Sequence, residues 1–293
     1  MMQKSRRLNG DSVFDIFNLI FMCFIILITL YPFYYVIVSS FNEPIDLLNG
    51  PVYLWPRKFS LSNYAYVLQD EKILNAAFIT VSRTIIGSVS AVLFTAAFAY
   101  GISKPRLLGR RFFIGMALVT MYFSGGLIPT YILIAHGLKL QGNFLVFIIP
   151  NLFNAFNAFV MLSFFRGISS EIEESARIDG ANDIIIFFKL ILPVSTPILA
   201  TIALFNGVFH WNSWFDALLY GGRKLETLQQ YLVKSIQSAN VNAKAASYVS
   251  TLTVSSTSVR LTTMVITAFP IVIAYPFLQR YFVKGIMIGS LKG

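Results

Sequence analysis

Six stretches of this chain, residues 13–40, 76–101, 112–135, 144–165, 194–219 and 261–283, are apolar over the length a bilayer demands. A spanning helix needs about 20 mostly apolar residues and must satisfy its own backbone groups, because lipid offers them no partner. Of the 293 residues, 56% are hydrophobic and 12% charged, against about a quarter charged in an ordinary soluble domain. A water-soluble protein of this size has no place for so much apolar surface. The predicted fold class is therefore an all-α membrane protein with six transmembrane helices. Pro32, Gly125, Gly126, Pro129, Pro150 and Pro270 fall inside the stretches, where neighbouring helices satisfy the backbone groups such residues free.

Basic residues orient the bundle. The pieces 1–12, 102–111, 166–193 and 284–293 hold more Lys and Arg than the longer pieces between the other span ends, and the run Lys104 to Arg111 is the densest cluster. Cytoplasmic loops carry this excess, so both the N- and C-termini are expected in the cytoplasm. The chain divides into a cytoplasmic N-terminus 1–12, a membrane domain 13–283 with a large cytoplasmic loop 166–193, and a cytoplasmic tail 284–293. The N-terminal bases and apolar run resemble a signal peptide, but the run is too long and no small-x-small cleavage site follows, which predicts an uncleaved first span. Of the outer loops, 41–75 is rich in Pro and aromatics and reads as an ordered cap. The other, 220–260, is polar with a helical run at 226–237.

The sequence weighs against several functions. The net charge of +10 follows membrane topology, with no interleaving of bases and aromatics for nucleic acid. Cys23 is the only cysteine and His136 and His210 the only histidines, so no metal-ligand spacing exists. Cys23 is expected as a small buried hydrophobe. Glu173 and Glu174 lie in a loop rather than an enclosed cavity, leaving no site for paired-carboxylate catalysis; no catalytic residue is expected. A secondary transporter or channel is the alternative; it typically carries carboxylates deep in the membrane, whereas Asp15 and Asp216 sit near span ends.

The loop 166–193 parses as helix, turn, helix. Ser170 and Glu173 have the spacing of a capping box, and Glu171, Glu173 and Glu174 suit the positive end of a helix. Gly180 stands where that helix must stop. A second helix over 184–192 is expected to end at Pro193.

The series Glu174-Ser175-Ala176, Asp179-Gly180-Ala181 and Leu192-Pro193 resembles the "EAA" signature of ABC-importer permeases, with Ser175 where that family favours Ala. Phe123-Ser-Gly-Gly-Leu-Ile-Pro-Thr130 with Gly137-Leu138, Trp211-Asn-Ser-Trp214, and the tail 279–285 with Lys292-Gly293 are similar to carbohydrate permeases of the maltose-transporter type. The resemblance covers nearly the whole chain. The Phe-Ser-Gly-Gly-Leu-Ile-Pro stretch is particularly similar to permeases for oligosaccharides from acidic polysaccharides, such as alginate or pectin fragments.

The resemblance implies an ABC-importer permease architecture in a bacterial cytoplasmic membrane. It makes the first loop helix a coupling helix, with Glu174, Ser175, Ala176, Asp179, Gly180 and Ala181 meeting an ATPase. It also implies a heterodimer with a second homologous permease, two copies of an ATP-binding subunit and an extracytoplasmic solute-binding protein. No cofactor is expected on this chain, since no Gly-Lys dipeptide occurs and a phosphate-cradling loop is therefore absent. ATP and Mg belong to the partner ATPase.

Sugar sites combine aromatic faces with amide groups. Asn151, Asn154 and Asn157 in the fourth expected span spread over about 120° of one helix side. Asn206, His210, Trp211, Asn212 and Trp214 lie in the fifth and Arg83 in the second. Each has two readings. The amides serve substrate or helix–helix hydrogen bonds; the tryptophans serve substrate or an interfacial belt. Arg83 meets an acidic sugar, or it pairs structurally or snorkels.

Overall fold

The computed structural model describes residues 10–222, 224–245 and 256–290, with side chains over 14–222, 224–237, 257–273 and at 276. Expectations for residues 1–9, Arg223, 246–255 and 291–293 lie outside these, as do those for the side chains of 279–285.

In chain order the helices are α1 (Gly10–Ser40), α2 (Ser62–Gln69), α3 (Glu71–Ser103), α4 (Arg110–Tyr122), α5 (Leu127–Ile132) and α6 (Ala155–Arg166). The loop after α6 carries α7 (Ser170–Ile178) and α8 (Asp183–Ile186), a wide π turn (Phe187–Ile191) and α9 (Leu192–Val194). Then come α10 (Thr196–Asn212), α11 (Phe215–Tyr220), α12 (Leu228–Ala245) and α13 (Ser256–Ser290). The described residues hold no β-strand, only an isolated bridge between Asn42 and Phe59.

Phe14–Ser40 and Glu71–Ser103 are each long and apolar enough to cross a membrane. Two further spans expected to be continuous are bent, and a third bend separates the loop helix from the fifth expected span. The chain turns by 116° between α4 and α5, by 52° before α6 and by 82° before α10. Each break has a local cause. At the first, Gly126 takes φ +85°, outside the helical region. At the second, 3-10 turns at Phe144–Phe147 and Ile149–Asn151 precede Asn154, which starts α6 afresh. At the third, the turn falls at Ser195, not at Pro193. Pro193 has no N–H to bond, and the π turn just before it widens the backbone so that the helix continues past it. The fifth expected span also breaks at Ser213, before α11. The sixth falls in α13, of which the described stretch Thr257–Ile273 is shorter and apolar on average.

The chain forms two units. The first comprises Met1–Gln69 and Ser235–Ile266. Side chains 14–34 of α1 are exposed around the whole helix, as suits a helix whose solvent is lipid or another apolar surface. Cys23 is among them; the buried position expected of it does not occur, because nothing in the unit covers that face. The loop after α1 is ordered, as its prolines and aromatics predict. Asp46 accepts from Asn42 Nδ2 at 2.9 Å and Arg57 Nε at 2.8 Å. Arg57 also donates to the carbonyls of Asp46, Gly50 and Pro51. Asn63 Nδ2 bonds the carbonyls of Ser40 and Asn42 at 3.0 and 2.8 Å.

The second unit comprises Asp70–Lys234 and Thr267–Gly293, with α3 as its axis. Asp70 caps α3 by accepting from Lys72 N–H at 2.9 Å. Its buried face runs through Ala76, Thr80, Arg83, Gly87, Ala91 and Thr95, mostly small residues at helical spacing that let neighbouring backbones approach. One apolar core joins Ala96, Ala99 and Ile102 of α3 to Met161 and Phe165 of α6, Ile186 and Ile191 of the loop, and Ile202 of α10. A second joins Ile79, Val146, Phe147, Ala217 and Tyr220.

Candidate functional site

The loop 166–193 folds as the helix–turn–helix its sequence predicts, with one correction at the start. The cap is Ser169, whose Oγ accepts from Glu171 N–H at 3.3 Å; Ser170 is the first helical residue. Glu173 does not turn back to complete a capping box. Its carboxylate meets Lys104 Nζ at the end of α3, a charged partner that outcompetes a backbone amide.

The end of α7 matches expectation in detail. Ala181 N–H bonds Ala176 O at 2.9 Å and Gly180 N–H bonds Arg177 O at 3.0 Å, the paired closing bonds of a Schellman turn. Gly180 has φ +85°, where glycine pays no steric penalty. Asn182 then caps α8, its Oδ1 accepting from Ile185 N–H at 2.9 Å. Arg177 straddles the turn, bonding Asp183 at 2.9 Å, and that bond raises the guanidinium pKa further.

These caps fix which residues face out. Glu174, Ser175, Asp179 and Gly180 are exposed, while Ala176 and Ala181 pack against the core shared by α3, α6 and α10. The small size of Ala176 therefore lets α7 lie close on its own chain. Beside α7 a cavity of about 1160 Å³ is lined by Tyr100, Lys104, Arg106, Arg110, Phe165, Arg166, Glu173, Glu174, Arg177, Asp183 and Phe187, among others.

A second cavity, of about 390 Å³, is lined by Pro150, Asn151, Phe153, Asn154, Phe156, Asn157, Phe205, Asn206 and Phe209. It gathers four of the five asparagines singled out from the sequence; Asn212 Nδ2 instead donates to Val208 O at 2.8 Å. They do not share one regular helix face: Asn151 ends a 3-10 turn, and Asn154 caps α6 by accepting from Asn157 N–H at 3.0 Å. Asn151 Nδ2 donates to Phe147 O at 3.1 Å and Asn206 Nδ2 to Ile202 O at 2.9 Å. Each amide so anchored keeps a second polar group, and the phenylalanines supply flat apolar faces. Sequence reasoning missed these phenylalanines; the signal was their spacing, with Phe205 and Phe209 four residues apart on α10 and flanking Asn206.

The other predicted path residues stand elsewhere. Arg83 is fully buried, bonding Asp216 at 2.5 and 3.1 Å, with its guanidinium 4.2 Å from the Phe147 ring centroid. His210 is fully buried against Gly87. Trp211 Nε1 donates to Thr267 O at 3.0 Å, and Trp214 precedes α11 in edge contact with Phe215. Among the described residues no group of three His, Cys, Asp or Glu side chains is placed to hold a metal ion.

Apolar helices around an amide-and-phenylalanine cavity, with a capped helix presenting carboxylates outside the bundle, define a membrane-embedded transport subunit. The comparisons narrow that class. The chain is 35% identical over 285 residues to the polygalacturonan/rhamnogalacturonan transport system permease protein YtcP of Bacillus subtilis, covering 97% of this chain and 99% of that one. It is 34% identical to protein LplC of the same organism, over 97% and 96% of the two chains. A crystal structure of a bacterial ABC transporter involved in the import of the acidic polysaccharide alginate contains a chain that superposes with a TM-score of 0.85. That chain is 34% identical, and the match covers 96% of this chain and all of that one. No family model matches the chain. The chain belongs to the family of carbohydrate ABC-importer permeases.

Proposed function

We propose that this chain forms half of the path by which oligosaccharides from acidic polysaccharides, such as pectin or alginate fragments, cross a bacterial cytoplasmic membrane. The cargo reading is supported by near full-length similarity to a polygalacturonan/rhamnogalacturonan permease and to a chain of an alginate importer. Six spans with both termini cytoplasmic fit the bent and straight helices described above and the basic run at Lys104 to Arg111.

The observation that carries the energetic half of the reading is α7, closed at both ends, with alanines on the core and Glu174, Ser175 and Asp179 outward. This face docks on one of two ATP-binding subunits, which hold ATP and Mg and hydrolyse it; the permease itself is not catalytic. A second homologous permease completes the path as a heterodimer, and a solute-binding protein delivers sugar from outside. Asn151, Asn154, Asn157 and Asn206 with the phenylalanines around them receive the sugar. Arg83, His210, Trp211 and Trp214, engaged with neighbouring helices, hold the walls of the path.

Two measurements test this. Purified from its native membrane, the chain should bring down a homologous permease and an ATP-binding subunit; a functional stand-alone transporter would sink the reading. In the assembled complex, Asn157→Ala and Asn206→Ala should each lower oligosaccharide uptake roughly fivefold, the worth of about one hydrogen bond. Unchanged uptake in both would move the sugar site to the partner permease.

A further inference from the structure

Glu173 and Glu174 are neighbours in sequence with opposite surroundings. Glu174 is exposed, whereas the Glu173 side chain is 13% exposed and in contact with Lys104 Nζ. Successive residues of a helix point about 100° apart, so α7 can meet a partner subunit and its own bundle through adjacent carboxylates.

Lys104 is the C-cap of α3, the residue at which the axis of the second unit ends. Its ammonium lies 4.0 Å from the centroid of the Tyr100 ring, one turn back on the same helix, a cation–π contact that holds the side chain over the loop. Glu173 also faces Arg177 at 3.9 Å, and Arg177 bonds Asp183 at the start of α8. Lys104, Glu173, Arg177 and Asp183 thus form one relay of alternating charge from the end of α3 across α7 to α8. On the same helix, Arg83 bonds Asp216 of α11. The 33-residue helix α3 is therefore gripped by ionic contacts at two separate levels.

We propose that the Lys104–Glu173 pair is the link that makes α3 follow α7, so that displacement of α7 reaches the walls of the sugar path. Lys104 is a positioning residue: it touches neither sugar nor nucleotide. The inference rests on the docking of α7 proposed above. Apolar packing of Ala176 and Ala181 keeps α7 near the bundle but slides easily. A charge-assisted contact beside an aromatic ring resists sliding. Coupling between sites needs such an element, whose two ends move together.

The test uses the full complex with both permeases and the ATP-binding subunits in proteoliposomes. It reads sugar moved per ATP hydrolysed and the amount of ATP-binding subunit retained. Lys104→Glu and Glu173→Lys should each lower the transport ratio at least about fivefold with the ATP-binding subunit retained. The double exchange should bring the ratio back to within about twofold of the parent. Lys104→Met, which keeps an apolar stem on Tyr100 and deletes only the charge, should lower the ratio as well. A parental ratio in the single variants, or a double exchange no better than either, overturns the link. So does loss of the ATP-binding subunit from Lys104→Met, which would place Lys104 in docking. Docking is tested separately by Glu174→Lys: full retention and coupling there would remove the docking reading itself, whereas full coupling confined to the Lys104 and Glu173 variants removes only the link.

Discussion

Arg83 of α3 and Asp216 of α11 meet through two hydrogen bonds, of 3.1 and 2.5 Å, with Arg83 fully buried and the Asp216 side chain 22% exposed. The Phe147 ring closes over the guanidinium at 4.2 Å. Removing one partner of a buried pair leaves an uncompensated charge, which costs about 3 kcal/mol or more. Asp216→Leu should lower the thermal midpoint of the purified protein sharply. Joining it with Arg83→Met should recover much of the loss, because the bare charge is gone. A double variant as unstable as the single would show that the packing, not the charge, dominates.

Gly87 of α3 and His210 of α10 lie in close contact. A Cβ at position 87 would stand 2.4 Å from His210 Nε2 and within 2.8 Å of two further ring atoms. The ring is fully buried and has nowhere to swing. Gly87→Ala should destabilise by about 1–3 kcal/mol through overpacking, read as a lower melting midpoint. Adding His210→Ala should relieve the overlap, and no relief would locate the strain elsewhere.

Gly180 presents a different constraint. Nothing lies within 4 Å of a Cβ built on it, yet its φ is +85°. Strain, not bulk, should govern substitution there, at about 1–2 kcal/mol for an ordinary residue. Gly180→Val should insert normally but lose much of its ATP-driven uptake, while Gly180→Asn, which tolerates this conformation, should retain more. Equal, full uptake in both would refute a role for the turn in coupling.

Asp46 in the loop after α1 gives a pH signature. The Asn42 amide and then the Arg57 guanidinium bond its carboxylate and hold its pKa below the ordinary 3.8. A depressed carboxylate pKa contributes stability that is full above the unfolded value and is lost as pH falls through the folded one. The ordered loop should therefore resist protease at neutral pH and become susceptible only below about pH 3.8. Asp46→Asn should be susceptible already at neutral pH and flatter across that range. Identical profiles for parent and variant would contradict the assignment.

What the sequence by itself determined is local or one-dimensional. The positions of the apolar segments follow from length and composition. The shape of α7 follows from contacts within a few residues: a serine one position from the expected cap, acids in the first turn, and a glycine where the backbone must take positive φ. The order of the loop 41–75 was legible in its prolines and aromatics. The asparagines of the second cavity were legible as polar residues in an apolar segment, which must meet a partner or a cavity. Only the tertiary structure decided the rest. The bends near Gly126 and Asn154 turned two expected single spans into helix pairs, because each position starts a new helix within a stretch whose apolar composition alone reads as continuous. The partners of Arg83 and Lys104 lie 133 and 69 residues away, and no local periodicity encodes a contact of that reach. The sequence showed that those charges need partners; the packing of α3 chose them.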